Sequence, residues 1–457
     1  MNIYQDTLYI ENEAFTNKKI IKGSHHKHIR YTKCIFKEEV KIVASMYLES
    51  ITFELCFIDK QVFIENDCIN FQITFDGCHI ERTTFNEVEF EEEIILKSCF
   101  INRKNNDVIG LSIKNCDFQN KFEVSGTICN AEIFNCSFRE QNVILSGIFQ
   151  MYQHYSALLI QECYFHSHLF IFPQEITKSE KDTQVIQANI SLENSVFHKR
   201  VDIIPQECEG ELRFINSIVH SNIKFIKGNK QEGIEYNLKG GVFFGGTKFE
   251  GIISFVDLRL KSLKVIHCLG CHIQAGDSFL LDEANSATYR VLKKSALDLN
   301  SQDDYLKYKK KEYQALEKEK RKKLVESFKR KSFRIAWQNS IDVFILFLNK
   351  VSSKHGTSWS HSLVFLIITS YILFNLLIFF GDKNLSYSWS FEGFIYIYEK
   401  YANKFWLFFN PGHKITFLRD QLNLEINGYT GFIDTIARVC IIYGSFQFTM
   451  SFRKFNK

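Results

Sequence analysis

Apolar residues recur every five positions through much of the first half of the chain. The clearest runs are Phe63, Cys68, Ile73 and Cys78; then Phe85, Phe90, Ile95 and Phe100; then Ile128, Ile133, Phe138, Val143 and Ile148. Neither an α-helix, with a period of 3.6, nor a simple strand, with a period of two, produces this spacing. A chain that turns a corner every five residues and completes a coil after about twenty does produce it.

A second repeat supports the same architecture. Cys34, Cys56, Cys78 and Cys99 are 22, 22 and 21 residues apart, and a Cys-x-Phe pattern or a close variant recurs at Cys34–Phe36, Cys99–Ile101, Cys116–Phe118, Cys136–Phe138, Cys163–Phe165, Ser195–Phe197 and Thr247–Phe249. We therefore predict a parallel β-helix of about ten coils, in which Phe and small side chains stack inside at about 4.8 Å. An antiparallel β-sandwich is the alternative.

These runs resemble the pentapeptide-repeat family, in which a small or aromatic residue occupies the centre of each group of five. The resemblance covers about residues 30–275, and insertions interrupt it at 150–160, 173–188 and 228–240. It implies a right-angled coil built from repeated corners. The usual Ala-Asp-Leu composition of that family is mostly absent from this chain.

Composition adds two constraints. The 457 residues include 45 Phe and 13 Cys, and most Cys stand singly within apolar stretches, so we predict reduced, buried thiols in a domain that faces the cytosol. The net charge of +4 argues against a nucleic-acid polycation. No nucleophile elbow, phosphate loop or zinc-protease motif is present, so we expect neither an enzyme nor a cofactor. The weak metal candidates are Cys268, Cys271, His267 and His272, and we favour no metal there.

A basic helical stalk is predicted after the repeats. The pattern becomes helical near Leu280, breaks between Leu297 and Asp303, and resumes to beyond Glu326; residues 290–334 hold 16 Lys and Arg against 7 Asp and Glu. The surplus fits a solvated face, a nucleic-acid or nucleotide site, or contact with anionic lipid. The candidate lipid or phosphate contacts are Lys309, Lys310, Lys311, Arg321, Lys322, Lys323, Arg453 and Lys454.

Two segments are predicted to cross a membrane. Residues 362–380 form an uncharged stretch dominated by Leu, Ile and Phe, and 431–450 form a less apolar one. Residues 341–348, with Trp337 at headgroup level, predict an interfacial helix. Asp434 and Arg438 lie four positions apart in the second segment and either line a pore or extend to the interface. We predict Asp434, Arg438, Ser445 and Gln447 as pore-lining residues.

Basic residues flank both segments and place both termini inside, in the cytoplasm. The loop 381–430 is then outside, and its aromatic part, 391–409, predicts an interfacial or re-entrant helix. We therefore divide the chain into an N-terminal initial segment (1–30), a β-helix domain (31–279), the basic stalk (280–335) and a membrane domain (336–457).

The second half also resembles bacterial pentapeptide-repeat membrane proteins with an ion-channel-like tail of two spans. The residues that carry this resemblance are Tyr289–Lys294, His355–Trp359, Asn410–His413 and Phe452–Phe455. It implies a homo-oligomer, such as a tetramer, in the bacterial inner membrane, with a pore or membrane-disrupting activity gated by a β-helix sensor that binds a nucleotide, an oligonucleotide or a protein. By analogy, such a layout suits anti-phage defence. No potassium-type filter sequence is present. The alternatives are a membrane-anchored protein-binding scaffold and a nucleic-acid sensor that uses the stalk.

Overall fold

The chain forms two compact units, a repeat unit (Met1–Tyr305) and a helical unit (Leu306–Lys457). The structure is a computed structural model that describes residues 7–22, 26–65, 68–101, 109–151, 158–173, 186–187, 189–205, 210–226, 238, 240–256, 258–275, 279–330, 332–382, 392, 395, 399–412 and 416–453. Most of the three predicted insertions lie outside these residues. The unit boundary falls within the predicted stalk, because the first stalk helix packs on the repeats.

Short strands make up the repeat unit. In chain order they are β1 Thr7–Glu11, β2 Ala14–Phe15, β3 Lys19–Ile21, β4 His28–Thr32, β5 Ile35–Phe36, β6 Val40–Ile42, β7 Ser50–Glu54, β8 Phe57–Glu65, β9 Cys68–Ile69, β10 Gln72–Asp76, β11 His79–Asn86, β12 Glu89–Phe90, β13 Ile94–Ile101, β14 Leu111–Lys114, β15 Asp117–Phe118, β16 Phe122–Cys129, β17 Ala131–Phe134, β18 Ser137–Phe138, β19 Val143–Met151, β20 Leu158–Gln161, β21 Tyr164–Phe165, β22 Leu169–Pro173, β23 Ile186–Gln187, β24 Ile190–Glu193, β25 Val196–Phe197, β26 Val201–Ile203, β27 Leu212–Ile215, β28 Ile218–Val219, β29 Ile223–Ile226, β30 Val242–Gly245, β31 Lys248–Phe249, β32 Ile252–Val256, β33 Arg259–Ile266, β34 His272–Ala275 and β35 Leu280–Ala284.

These strands form a 27-stranded sheet and an 8-stranded sheet. Parallel pairing links strands that are one repeat apart: Thr7 pairs with His28, His28 with Ser50, and Ser50 with Gln72. The same ladder continues through β10, β13, β16, β19, β22, β26, β29, β32 and β34. Among the described strands only β23 pairs antiparallel, with β19. Extensive parallel pairing contradicts the antiparallel sandwich.

Left-handed corners explain the Cys-x-Phe pattern. Asn135 has a φ of 50° and Asn216 a φ of 49°, a region that Asn tolerates better than most residues. The next residue points inward and its side chain donates to two carbonyls: Ser217 Oγ donates to Ile215 O at 3.0 Å and to Leu192 O at 3.2 Å, in the preceding repeat. Cys136 Sγ donates in the same way to Phe134 O and Ile113 O. Cys, Ser and Thr are therefore interchangeable at this position.

The cysteines of this ladder are buried. Cys34, Cys56, Cys78, Cys99, Cys116, Cys136 and Cys163 are buried, and no disulfide joins any of the described cysteines. Burial raises the pKa of Cys99 to about 12, so its thiol remains a donor at neutral pH.

Phenylalanine rings stack along the core, one per repeat. Phe90, Phe118, Phe138, Phe165 and Phe197 lie face to face with ring centroids 4.8 to 5.0 Å apart. This spacing is that of adjacent strands, because each ring belongs to the next strand of the same sheet. Rings in direct contact leave no room for water, and all five are at most 1% exposed.

The repeat unit begins earlier than residue 31, where the β-helix domain was predicted to start. Pairing starts at β1, and Phe15 stacks on Phe36 at 4.8 Å. The first repeat was missed because Ala14–Phe15 follows Glu13, where later repeats have Cys. At the other end, Leu280–Ala284 is strand β35 rather than helix, since it continues the ladder beside β33.

Helix α1 (Ser286–Asp298) packs against the last repeats. The Asn285 side chain caps it by accepting from the backbone of Thr288. Thr288 Oγ1 accepts from Val265 N at 2.9 Å, and Ser295 Oγ accepts from Ile273 N at 3.0 Å. The helix therefore satisfies backbone donors that no further strand pairs, which protects the end of the sheet.

The helices that follow are α2 Gln302–Lys329, α3 Phe333–Ser353, α4 Trp359–Gly381, the 3₁₀ helix Ala402–Lys404, α5 Phe405–Phe408, α6 Phe417–Asp420 and α7 Gly428–Arg453. Helix α3 is much longer than the predicted 341–348 segment. Helices α4 and α7 contain the two predicted spans. Glu392, Ile395 and Glu399–Tyr401 are also helical, while the rest of 391–398 lies outside the described residues.

Candidate functional site

Helices α4 and α7 form an antiparallel hairpin with small residues at its contact. Ser362 Oγ and Ser451 Oγ lie 3.4 Å apart at one end. A Cβ placed on Gly444 would lie 2.7 Å from Leu366 Cδ1, and one on Gly381 would lie 3.2 Å from Thr430 Cγ2. Small residues let two helices approach closely, which is typical of membrane helix pairs.

Helix α4 turns apolar side chains outward. Val364, Ile368, Tyr371 and Ile372 are exposed, whereas Ser370 on the opposite face is buried. Among the described residues α4 is the one helix long and apolar enough to cross a membrane, and only 28% of its most apolar window is buried. A helix in the core of a soluble protein would be mostly buried. The second predicted span, in α7, does not meet the same criterion of length and hydropathy.

Helix α7 has two different outward stripes. One is apolar and consists of Tyr429, Phe432, Ile436, Val439, Phe446 and Met450. The other, which we call the polar stripe, consists of Thr435, Arg438, Ser445 and Thr449, three of them exposed and Arg438 half-buried. Positions 435, 438, 445 and 449 fall on one helical face because they follow a seven-residue repeat, in which the exposed Ile442 takes the place between Thr435 and Thr449. Arg438 and Ser445 were predicted from sequence, and Thr435 and Thr449 were missed.

Asp434 points into the hairpin. It is 2% exposed, and Arg438 binds it through Nε at 2.9 Å and Nη2 at 2.7 Å. The carboxylate therefore positions the guanidinium, which lies between the inward face and the polar stripe. A buried charge needs such a partner, because removing it from water is costly. The inward position of Asp434 argues against the prediction that its own side chain lines a pore.

Gln447 links α7 to α3. Ser353 Oγ donates to Gln447 Oε1 at 3.1 Å, and Gln447 Nε2 donates to Asn349 Oδ1 at 3.1 Å. Tyr443 OH donates to the same Asn349 oxygen at 2.8 Å. Gln447 was predicted to line a pore from the pattern of α7 alone. Within the helical unit, its amide binds Ser353 and Asn349 of α3.

Helix α3 has its polarity inverted. Ala336, Asn339, Leu346, Ser352 and Ser353 are buried, and most of the outward side chains are large and apolar: Phe333, Trp337, Ile341, Phe344, Ile345, Phe347 and Val351. Arg334, Gln338 and Lys350 are exposed as well. Asn339 Nδ2 donates to Ser327 Oγ on α2 at 3.3 Å. The predicted interfacial segment 341–348 is thus part of a longer apolar face, which extends along the entire helix. Its position at a membrane interface stays a prediction.

The aromatic segment after α4 doubles back along that helix. Asp382, directly after α4, accepts hydrogen bonds from Lys400 Nζ and Tyr401 OH, both at 2.9 Å. Burial, aided by Asp382, raises the pKa of Tyr401 to about 12. Phe405 and Phe408 then pack on Phe374 with centroids 5.5 and 5.2 Å apart. Phe374 lies about 10 Å from the end of α4 at 1.5 Å per residue.

The basic residues predicted to contact phosphate are only partly on the surface. Lys309 is buried and Lys311 is half-buried, whereas Lys310, Lys322 and Lys323 are exposed on α2. Arg321 is exposed and pairs with Glu317 at 2.6 Å. Lys309 lies on the buried side of α2 together with Tyr308 and Glu312. Arg453 ends α7, and Lys454 lies outside the described residues.

The weak metal candidates do not converge. His267 is exposed, Cys268 and Cys271 are half-buried, and His272 Nδ1 lies 3.6 Å from Asp298 Oδ2. Cys268 Sγ donates to Ile266 O at 3.5 Å. Within the described ranges, no group of three or more His, Cys, Asp or Glu residues could hold a metal ion.

Neither a protein family, nor a curated protein, nor a solved structure matches this chain. The resemblance to pentapeptide-repeat membrane proteins therefore stays a prediction that depends on the residues quoted for it. The features of the helical unit that carry functional information are the inverted exposure of α3 and α4, the polar stripe of α7, and the segment held by Asp382.

Proposed function

We propose that the chain is a subunit of an oligomeric membrane pore in the bacterial inner membrane. The observation that carries this proposal is the inverted polarity of the helical unit, in which α3, α4 and α7 expose large apolar side chains. Exposing so many apolar groups to water is unfavourable, whereas lipid accommodates them. A soluble domain would turn the same residues inward.

Both α4 and α7 cross the bilayer in this proposal. Helix α4 has 23 residues and α7 has 26, so each exceeds the roughly 30 Å hydrocarbon thickness at 1.5 Å per residue. The less apolar composition of α7 is compatible with crossing when its polar stripe faces away from lipid. Helix α3, with Trp337 outward, lies along the interface.

The polar stripe of α7 supports a conducting path. The guanidinium of Arg438 and the hydroxyl of Ser445 are unfavourable next to lipid tails and favourable next to water or a neighbouring subunit. Thr435 and Thr449 add small polar side chains whose hydroxyls donate to Gly431 O and Ser445 O. Two helices cannot enclose a path, so several copies arranged around one axis are required. The doubled-back segment after α4, which packs on Phe374 through Phe405 and Phe408, supports a re-entrant loop in this proposal.

The repeat unit acts as the regulatory part. We propose that its ladders close into a parallel β-helix in the cytoplasm, because the chain returns to the same ladder in each repeat through corners such as those at Asn135 and Asn216. A closed column is stiff, and its flanks offer a long docking surface for a protein or an oligonucleotide. A role in anti-phage defence would follow if that partner signalled infection.

The experiment uses the full chain, purified in detergent and reconstituted in liposomes loaded with a self-quenching dye. We expect a multimer by light scattering and dye or ion leak. A Thr435→Leu plus Ser445→Leu variant fills the path and abolishes leak, while the matched pair Ile436→Leu plus Phe446→Leu on the apolar stripe leaves leak unchanged. A monomer whose liposomes stay sealed contradicts the pore and favours a membrane-anchored scaffold.

A second activity is favoured by the exposed cations of α2. Lys310, Lys322 and Lys323 are accessible, and Lys320 pairs with Asp342 of α3 at 2.6 Å, so the basic surface and the interfacial helix belong together. We propose contact with anionic lipid headgroups. Flotation with vesicles of anionic lipid should be reduced by reversing these three charges. Salt-dependent binding of single-stranded DNA lost in the same variant would indicate nucleic acid instead.

A further inference from the structure

A buried histidine occupies the turn that joins α3 to α4. His355 is 3% exposed. It and both of its neighbours have a positive φ: 48° at Lys354, 64° at His355 and 70° at Gly356. Its backbone N donates to Asn349 O at 2.9 Å, and Gly356 N donates to Ser353 Oγ at 2.8 Å. The turn is thus tightly folded, and α4 begins only four residues later.

The imidazole is held by stacking rather than by hydrogen bonds. Its ring lies on the ring of Tyr313, from α2, with centroids 5.3 Å apart and planes 13° apart. Among the residues that the structure describes, neither Nδ1 nor Nε2 finds a hydrogen-bond partner, although the side chain is almost completely buried. An unpaired buried polar group is costly, and an imidazolium in that position would be costlier. The packed arrangement therefore requires the neutral ring.

Charged groups surround the ring on two helices. From α2 the facing groups are Lys309, Lys310 and Glu317, and from α3 the facing group is Lys350. Glu317 is already occupied, since it pairs with Arg321 at 2.6 Å and with Lys350 at 3.7 Å. Burial lowers the pKa of His355; the three lysines lower it further, and Glu317 opposes them. The carboxylate that faces the ring, Glu317, is therefore already paired with cations and does not favour protonation enough to offset burial.

We propose that His355 is a proton sensor, whose neutral imidazole docks the α3–α4 turn onto Tyr313 of α2 and whose protonated form releases it. Only the consequence of this proposal, a pore that responds to acid, rests on the proposed function. The release itself is a property of this turn and is measurable without ion flow.

The sign of the pH dependence follows from the direction of the shift. The docked ring has a pKa below the 6.5 of a free imidazole, so the undocked state binds more protons between these two values. Docking is strongest above 6.5 and weakens as the pH falls through that window. Acid therefore favours the released turn, and further acidification below the docked pKa adds nothing.

The test follows Trp359, which begins α4 and contacts Phe448 and Phe452 with ring centroids 6.4 and 6.2 Å away. The full chain, with its three other tryptophans (Trp337, Trp389 and Trp406) replaced by Phe, is placed in nanodiscs and titrated from about pH 8 to about pH 4.5. We expect a sigmoidal change in Trp359 fluorescence with a midpoint below 6.5. His355→Phe retains the stacked ring and loses the transition, while the control His361→Phe keeps it.

A second variant makes the result independent of how well His355→Phe folds. Tyr313→Leu removes the stacking surface, so the midpoint should move upward towards 6.5. An unchanged transition in His355→Phe overturns the proposal, as does its loss in His361→Phe or an unshifted midpoint in Tyr313→Leu. Leak from liposomes is measured separately, so a sealed vesicle with an intact fluorescence transition would count against the pore and leave the sensor standing.

Discussion

Phe138 in the repeat unit and Phe446 in the helical unit show opposite uses of the same side chain. Phe138 is 1% exposed and stacked between Phe118 and Phe165, while Phe446 is 58% exposed. The repeat unit buries its apolar residues in an aromatic column, whereas the helical unit has a smaller apolar core, which includes Phe374, Leu377 and Ile441, and turns many other large apolar residues outward. This difference supports the proposal made above, in which lipid rather than water surrounds the helical unit.

The strongest contrast should come from shortening the two phenylalanines. Phe138→Ala should lower the free energy of unfolding by about 3–5 kcal/mol, because it leaves a cavity in a stacked column. Phe446→Ala should change it by no more than about 0.5 kcal/mol in detergent, because the side chain is 58% exposed and little protein contact is lost. Urea unfolding of the full chain, followed by circular dichroism, measures both. Equal losses would remove the contrast between the units.

Asp382→Asn should have the next largest effect. The carboxylate accepts charge-assisted bonds from Lys400 and Tyr401, so the change should cost about 1.5–3 kcal/mol and loosen the doubled-back segment. Thermal unfolding and protease cleavage near residues 399–412 report it. Asp420→Asn, at an exposed site, is the matched control and should leave cleavage unchanged.

The Tyr401 hydroxyl adds a pH dependence to that segment. Because its folded pKa is raised from 10 to about 12, its contribution to stability is complete below pH 10 and disappears as the pH rises through about 12. Thermal unfolding in that range should show a loss that Tyr401→Phe does not show. A loss already present at pH 8 would contradict the assignment.

Gly444→Leu tests the close contact of the hairpin. The side chain would collide with Leu366, so we expect a loss of about 1–3 kcal/mol from overpacking. At Gly431 an added Cβ meets nothing within 4 Å, so Gly431→Leu is the control and should lower the melting temperature much less. Equal effects would mean that α4 and α7 do not pack in this way.

The smallest effect should come from exchanging the corner residues of the repeats. Cys136→Ser and Ser217→Cys each keep a donor to the same two carbonyls, so each should change the free energy of unfolding by less than about 1 kcal/mol. Cys136→Leu, which removes the donor and overfills the site, should cost more. Denaturant midpoints distinguish the three variants.

The repeats were predictable because their signal is local. A corner residue such as Asn135, the donor Cys136 and the ring of Phe138 lie within four positions, so the pattern survives in the sequence. The start of the unit was missed because Phe15 stacks like later rings without a Cys two residues before it. Likewise the strand at Leu280–Ala284 has no alternation that separates it from the helix that follows.

The candidate site was harder to predict because it depends on neighbours. A helical projection of α7 groups Asp434 with Arg438, but only the packing of α4 shows that Asp434 faces inward. Gln447 looked available until Asn349 and Ser353 of α3 were placed against it. Thr435 and Thr449 gave no strong signal on their own, since a hydroxyl is common in any helix.

The proposed membrane pore requires lipid around the outward face of α4. One tryptophan is placed either at Ile368, outward on α4, or at Tyr9, outward on the repeat unit, with the four native tryptophans replaced by Phe. In vesicles, we expect brominated acyl chains to quench Ile368→Trp and not Tyr9→Trp, and aqueous iodide to do the reverse. Iodide quenching of Ile368→Trp, with no effect of the brominated lipid, would contradict a membrane-embedded helical unit.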